Sequence, residues 1–506
     1  MGKRLGIDLG TTYSSVSYVE GEAVETIELE AANRSTLLPS VVYYPEDGGP
    51  PIVGVSAKHQ KKLHPERVVE LIKRSMGEQD YRHEGTGKTP PEVSSEILKT
   101  LHREAQVHLG EEVTEAVITI PAYFGEYERA HTREAAELAG LNVLALLPEP
   151  HAAALAYSVE NAAKIKDRHV LVYDLGGGTF DVTLIHVAGR QERGAAQLVI
   201  ETLDKAGDKR CGGADWDRAL FSIVAKALAR DHGYDAQQDL RSEALLLEKC
   251  EVLKQDLSRS QSAVLVGEEA THEVEVTRAA FSRGARDLVY STRTSLELVL
   301  HKAEQKGVRL EDVTVILCGG SSKMPMVRNM IKRVVGRRPL SHEQPELLVT
   351  VGAAYWAQLA TGDVVETSMG QVAVQAGGLR DLAASGIGVS LSRDFGPEAE
   401  KYVRNIIPAE AHYDGQEYRV EVVTIFDGQR SVSLPFYEGN SEDIEECKFL
   451  GVFHLNDLPR RPKGQPIDVF LAYDSDGVIR GRGVHRETGH QVEIVIERPK
   501  GSLGPA

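Results

Sequence analysis

Leu5-Gly6-Ile7-Asp8-Leu9-Gly10-Thr11-Thr12 returns later in the chain as Leu171-Val172-Tyr173-Asp174-Leu175-Gly176-Gly177-Gly178-Thr179. Each copy is an apolar strand that ends in aspartate, runs into glycine-rich backbone and closes on a hydroxyl residue. Glycine has no Cβ, so main-chain N–H groups in such a turn can approach phosphate oxygens closely and make an anion-binding nest. No Walker-type lysine is needed in this arrangement. Asp8, Asp174 and Asp181 would repel a phosphate directly, but carboxylates at the rim of such a loop can hold Mg²⁺ through its retained waters. One copy reads as an ordinary tight turn. Two copies, each opening a segment, predict two related lobes facing each other across a nucleotide.

Outward from this repeat the chain of 506 residues divides by texture. Over 1–362, short apolar strands such as 116–120 alternate with helical patterns such as 126–139, which predicts α/β layers. From about 415 the pattern becomes period two with turn residues between: Tyr418, Val420, Val422, Thr424 and Phe426 before Asp427-Gly428, then 467–473, Asp476-Gly477, 478–483, Thr488-Gly489, and Val492, Ile494 and Ile496. The fold class is thus a two-lobed α/β domain followed by an all-β sandwich. Residues 363–381, with Gly370, Gly377 and Gly378 and little periodicity, are expected as a linker, 382–500 as the β domain and 501–506 as a tail.

Composition excludes several classes. The 58 Lys and Arg against 75 Asp and Glu give a net charge of −17 and no basic stripe, so nucleic acid is not an expected partner. Cys211, Cys250, Cys318 and Cys447 form no CxxC pair, so neither a zinc knuckle nor a disulfide framework is expected. The start carries no apolar secretion stretch and no window of about 18 apolar residues exists, so no membrane is expected and the compartment reads as cytoplasmic. Asp474-Ser475-Asp476-Gly477 is a hairpin turn rather than a calcium loop, since His485 stands where that loop needs glutamate.

A third loop, Gly319-Gly320-Ser321-Ser322-Lys323, follows the strand 313–318 and precedes a helix over 327–334, a place where backbone can lie against a flat ring or ribose. Upstream, Leu246, Cys250, Leu253 and Leu257 make the buried stripe of a helix, with Glu251, Lys254, Gln255 and Ser258 on the other face. Read alone, that polar face is solvated and the pairing of Glu251 with Lys254 is a surface contact worth little.

Together these segments carry a resemblance. LGIDLGTTYS at 5–14, AVITIPAYF at 116–124, LPEPHAAALAY at 147–157, VYDLGGGTFDV at 172–182 and VILCGGSSKMPMV at 315–327 resemble the signature segments of the DnaK-type heat-shock chaperone family, within the actin and sugar-kinase superfamily. A looser similarity runs through DGQR at 427–430, LGVFHL at 450–455 and AYDSDGVI at 472–479, which resemble the family's peptide-binding β-domain. The resemblance implies an actin-like ATPase with ATP or ADP and Mg²⁺ as cofactors. Gly10, Thr11, Thr12, Tyr13, Gly176, Gly177, Gly178 and Thr179 match the phosphate contacts, and Asp8 and Asp174 the carboxylates that hold hydrated Mg²⁺. Lys73 matches the lysine that reaches the γ-phosphate and the attacking water; Glu149 and Asp181 match the carboxylates that orient metal water and nucleophile, with Thr179 beside them. Glu251, Lys254, Ser258, Gly319, Gly320, Ser321 and Lys323 fall on the adenosine pocket, with Lys323 where arginine is common. Pro121 and Arg129 match a relay between the domains.

The implied function is an ATP-dependent chaperone that binds unfolded polypeptide and couples binding to slow hydrolysis, with a J-domain cochaperone and a nucleotide exchange factor as partners. Three departures permit an alternative, a nucleotide-switched adaptor for one specific protein. The linker match, Gln375-Ala376-Gly377-Gly378-Leu379-Arg380-Asp381, has one leucine where the family has several. Glu421, Val423 and Ile425 fall on the face expected to line the peptide cleft, where a carboxylate is costly to bury. The sequence ends about ten residues after Ile496, so a lidless cleft with fast peptide exchange is expected. A small-molecule kinase of the same superfamily would leave the β-rich half without a use.

Overall fold

Leu5–Asp8 and Tyr13–Glu20 form an antiparallel hairpin in which Asp8 faces Ser15, and Arg168–Leu175 with Phe180–Glu192 form a second in which Asp174 faces Asp181. The computed structural model describes residues 3–161, 167–192, 195–267, 272–367, 370–392, 400–474 and 477–497. The expected tail at 501–506 and Ser475-Asp476 of the hairpin turn lie outside the described residues. By contacts the chain divides into two units, Met1–Tyr123 with Thr132–Gln375, and Phe124–His131 with Ala376–Ala506.

In the first unit each hairpin seeds a sheet of the same order. One runs Ala23–Thr26, Tyr13–Glu20, Leu5–Asp8, Glu115–Ile120, Asn142–Pro148; the other runs Ala195–Asp208, Phe180–Glu192, Arg168–Leu175, Val313–Cys318, Leu340–Ser341. In both, the hairpin's first strand pairs in parallel with the fourth, as Leu5 with Ala116 and Leu171 with Val315. The repeated strands are almost wholly buried, which is why they read as apolar runs rather than alternating ones. A helix follows the last strand of each sheet, Glu149–Glu160 and Leu348–Leu359. The two helices cross so closely that a Cβ on Gly352 would overlap the Ala152 carbonyl, and one on Gly6 would overlap the backbone of Ala354. Residues of both helices share a core with Val170, Val172 and Ile185 of the second sheet.

The segment expected as a linker is not one in its main part. Val365–Thr367 and Gly370–Arg380 are strands that extend the second sheet beyond Ala195–Asp208, with Val365 and Val372 buried in its core. Glycines thinned the hydrophobic pattern there, and neighbouring strands supplied the order that local propensity withheld.

The second unit is an antiparallel sheet of eight strands, ordered Lys401–Ile407, Ile387–Ser392, Val432–Glu438, Lys448–Asn456, Gln491–Glu497, Ile479–His485, Pro466–Tyr473, Tyr418–Val423. Buried residues from both ends of this order, among them Val389, Phe436, Phe453, Val420 and Val469, share one core, so the sheet folds over on itself as a sandwich. Phe436 and Phe453 stack within it at 4.0 Å between centroids. Tyr127 belongs to the same core and donates from its hydroxyl to the Phe449 carbonyl at 2.9 Å, and Arg129 lies 3.6 Å from buried Asp381. The alternation over 418–423 is as read, but Asp427-Gly428 does not close a hairpin: Tyr418–Val423 pairs with Pro466–Tyr473. The two later hairpins do form.

Candidate functional site

The second glycine loop is tied down through its carbonyl oxygens. Gly176 O accepts from Gly213 N at 3.0 Å and Gly177 O from Ala214 N at 2.9 Å, both at the start of the helix Gly213–His232. Gly178 O accepts from Arg74 Nε at 2.9 Å and Nη2 at 2.6 Å. The first loop is held alike, with Ser40 Oγ donating to Gly10 O at 2.8 Å and Ser40 N to Thr12 O at 2.9 Å. With these carbonyls bound, the loops can turn N–H groups toward an anion, though Gly176 N itself donates to Thr179 O at 3.2 Å. The loops meet tip to tip: a Cβ on Gly177 would overlap Thr12 Oγ1, and one on Gly178 the Thr11 side chain. Thr12 Oγ1 is itself buried without a hydrogen-bond partner. These are features a phosphate would satisfy.

Next to the loops lies a group of acids around the Lys73 ammonium. Lys73 Nζ pairs with Glu149 Oε1 at 2.6 Å, their side chains 5% and 11% exposed. Asp8 accepts from Thr119 Oγ1 at 2.9 Å. Burial, and then the Glu149 charge, push the Asp8 and Asp181 carboxyls up to about 7. Asp174 is raised well above its ordinary value by burial and by Glu149, Asp181 and Asp8. Lys73, with Lys205 and Lys209 acting on Asp181, does not offset four carboxylates, so ionising them all calls for a further cation. Four carboxylates beside the loops are hard oxygen donors, the kind Mg²⁺ takes while keeping several of its waters. The donor set therefore fits Mg²⁺ held through water.

The residues expected around adenosine come from the helix Leu240–Arg259 and the turn Gly320–Lys323. They are brought together at Gly213, where a Cβ would sit 2.6 Å from Ser321 Oγ and 3.0 Å from Lys254 Nζ. Lys254 donates to Gly213 O at 3.0 Å and pairs with Asp217 at 2.8 Å. Gly319 has φ +73 and backs onto the Leu175 carbonyl, so only glycine fits this turn. Ser258 turns its hydroxyl to the helix's own Lys254 carbonyl at 2.9 Å, and Lys323 pairs with Glu346 at 2.7 Å. The expected surface contact between Glu251 and Lys254 is absent. Glu251 instead accepts from Tyr13 Oη at 2.7 Å and pairs with Lys58 at 2.5 Å, joining the first hairpin to this helix. Burial would push the Glu251 carboxyl up, but Lys58 outweighs it and holds the group below its ordinary value.

Sequence reasoning missed Arg74, Ser40, Lys58 and the Gly212-Gly213 helix start. The last had a visible signal, a glycine pair before a helix with Asp215, whose carboxylate accepts from Gly212 N at 2.7 Å. Arg74, next to Lys73, also pairs with that Asp215 at 2.5 Å. In the second unit Val423, Ile425 and Phe426 are 41%, 46% and 66% exposed beside the edge strand. Glu421 shares the exposed side but is not a buried lone charge: it is ion-paired to Arg486, which also pairs with Asp468 at 2.6 Å. The expected desolvation cost therefore does not arise.

Two glycine hairpins from paired lobes, an acid cluster with a buried lysine, and a β-sandwich define a nucleotide-dependent protein of the actin-like ATPase class with an appended β domain. The Hsp70 protein family model matches residues 4–85 and 79–505, and the chain belongs to that family of ATP-dependent chaperones. It is similar to the chaperone protein DnaK of Thermotoga neapolitana, 34% identical over 505 residues that cover 97% of this chain and 80% of that one. It is likewise similar to the chaperone protein DnaK of Halobacterium salinarum, 34% identical over 508 residues, 98% of this chain and 75% of the relative. Nothing in these matches favours the adaptor alternative.

Proposed function

We propose that the cleft binds ATP and ADP with Mg²⁺ and hydrolyses ATP slowly, and that the β domain binds extended, unfolded polypeptide under control of that cycle. The observation that carries the reading is the pair of glycine loops that meet tip to tip, their carbonyls bound elsewhere and Thr12 Oγ1 buried without a partner. Thr11, Thr12, Tyr13 and Gly10 take one side of the phosphates, and Gly176, Gly177, Gly178 and Thr179 the other. Asp8 and Asp174 hold the hydrated Mg²⁺, which supplies positive charge against the phosphates. Lys73 places an ammonium where charge develops on the transferred group, in a site with little water to screen it. Glu149 fixes Lys73 and, with Asp181, accepts hydrogen bonds from the attacking water; in a loose transition state such positioning outweighs a strong base. Glu251, Lys254, Ser258, Gly319, Gly320, Ser321 and Lys323 surround the adenosine.

A J-domain cochaperone, a nucleotide exchange factor and a cytoplasmic location complete this reading; among the described residues no helix is long and apolar enough to cross a membrane. The test is dissociation of a fluorescent unfolded peptide from the full chain in ADP, in ATP, and from Lys73→Ala protein in ATP. Faster release in ATP than in ADP is expected, with Lys73→Ala releasing as fast as wild type. Failure of every unfolded peptide to bind in any nucleotide state, while ATP still binds, overturns the chaperone reading.

A further inference from the structure

Away from the cleft, the described residues bring Glu46, His64 and Glu66 together, with one ligand-type atom of each within 4.8 Å of the others. Backbone pairing explains the placement. Val42–Tyr43 pairs antiparallel with Val68–Val69, and the ladder continues as Tyr44 N donates to Arg67 O at 3.1 Å. Arg67 returns its guanidinium to Tyr44 O at 2.6 Å and Pro45 O at 3.2 Å. Glu46 therefore leaves one strand beside the place where His64 and Glu66 lead into the other. The His64 ring is stacked on Tyr43, 5.7 Å between centroids and 28° between planes, which fixes the imidazole. Neither Glu46 nor Glu66 makes a side-chain hydrogen bond or ion pair with another described residue, and Arg67 spends its donors on carbonyls. Two carboxylates thus sit by an imidazole, while the nearby Arg67 guanidinium is held on backbone carbonyls rather than on either of them.

We propose that Glu46, His64 and Glu66 form a binding site for a divalent transition cation of the zinc class. An imidazole with two carboxylates suits such an ion, whereas Mg²⁺ and Ca²⁺ favour all-oxygen sets. Bonds of about 2.0–2.2 Å require the ligand atoms to draw closer than they stand, and the exposed glutamate side chains have the freedom to do so. Three protein ligands leave at least one position for water. The bound ion would clip the 44–49 turn to the 3₁₀ turn Pro65–Arg67.

The test uses full-length protein stripped with chelator and then saturated with Mg²⁺ and ADP, so that the acids of the cleft are occupied. Zn²⁺ is titrated by calorimetry, and Co²⁺ is followed by its visible absorption. One site is expected in the wild type, weakened about tenfold or more in His64→Ala and in the Glu46→Gln, Glu66→Gln double variant, with loss of the Co²⁺ band. Equal thermal unfolding midpoints in chelator establish that the variants fold, and the exposed Glu46→Gln single variant stands in if His64→Ala does not. Zn²⁺ affinity unchanged by these substitutions, or absent from the wild type, overturns the proposal.

Discussion

Lys73 is an ammonium with almost no contact with solvent, and the role proposed for it rests on that. Removing it takes away the ammonium paired with Glu149, so Lys73→Ala should slow ATP turnover about a hundredfold while nucleotide still binds, measured by single-turnover hydrolysis against ADP affinity. The same acids predict a pH effect. Asp8 and Asp181 have carboxyls raised to about 7, so without ligand they hold protons where ordinary aspartates do not. Their contribution to stability is fully present below about pH 4 and is lost as pH rises through about 7. A bound Mg²⁺ favours the ionised forms, so binding of Mg²⁺ and ADP should release protons near pH 6.5 and release few by about pH 9. Calorimetry in buffers of different ionisation enthalpy reads this directly. Asp8→Asn should lower the release; proton uptake at pH 6.5 would contradict the assignment.

At the scale of elements, the crossing of Glu149–Glu160 with Leu348–Leu359 rests on the absence of one side chain. A methyl at Gly352 meets the Ala152 carbonyl, which is backbone and cannot swing away, so Gly352→Ala should cost about 1–3 kcal/mol by urea denaturation. The helix Pro90–Leu109 offers a milder case. Thr89 and Glu92 form a reciprocal capping box there, and Thr89→Ala should cost about 1 kcal/mol in the same assay. Both glycine hairpins and the buried stripe of Leu240–Arg259 were legible because they are local patterns of period or composition. The partners of Glu251 were not: Lys58 and Tyr13 arrive from distant parts of the chain, and no spacing on the helix announces them.

For the whole molecule, the domain boundary is a physical question about one strand. Gly370–Arg380 continues the second sheet and crosses from the first unit, which runs to Gln375, into the second, with Val365 and Val372 buried at its start. A fragment ending at Asp381 should therefore bind ATP like the full chain, whereas one ending at Gly362 should unfold at lower urea, since it exposes the flank of Ala195–Asp208. Equal urea midpoints for the two fragments would show that the strand adds nothing to that unit. By itself the sequence determined the duplicated hairpins, the α/β-then-β order and the place of the two glycine loops, because burial and glycine backbone leave their mark within a few consecutive residues. Only the tertiary structure decided that the glycine-thinned stretch after 362 is a strand, that Tyr418–Val423 pairs with Pro466–Tyr473 rather than with its neighbour, and that Glu421 is neutralised by Arg486. Each of these depends on which distant segment lies alongside, and the energy of that choice resides in the contact rather than in either segment.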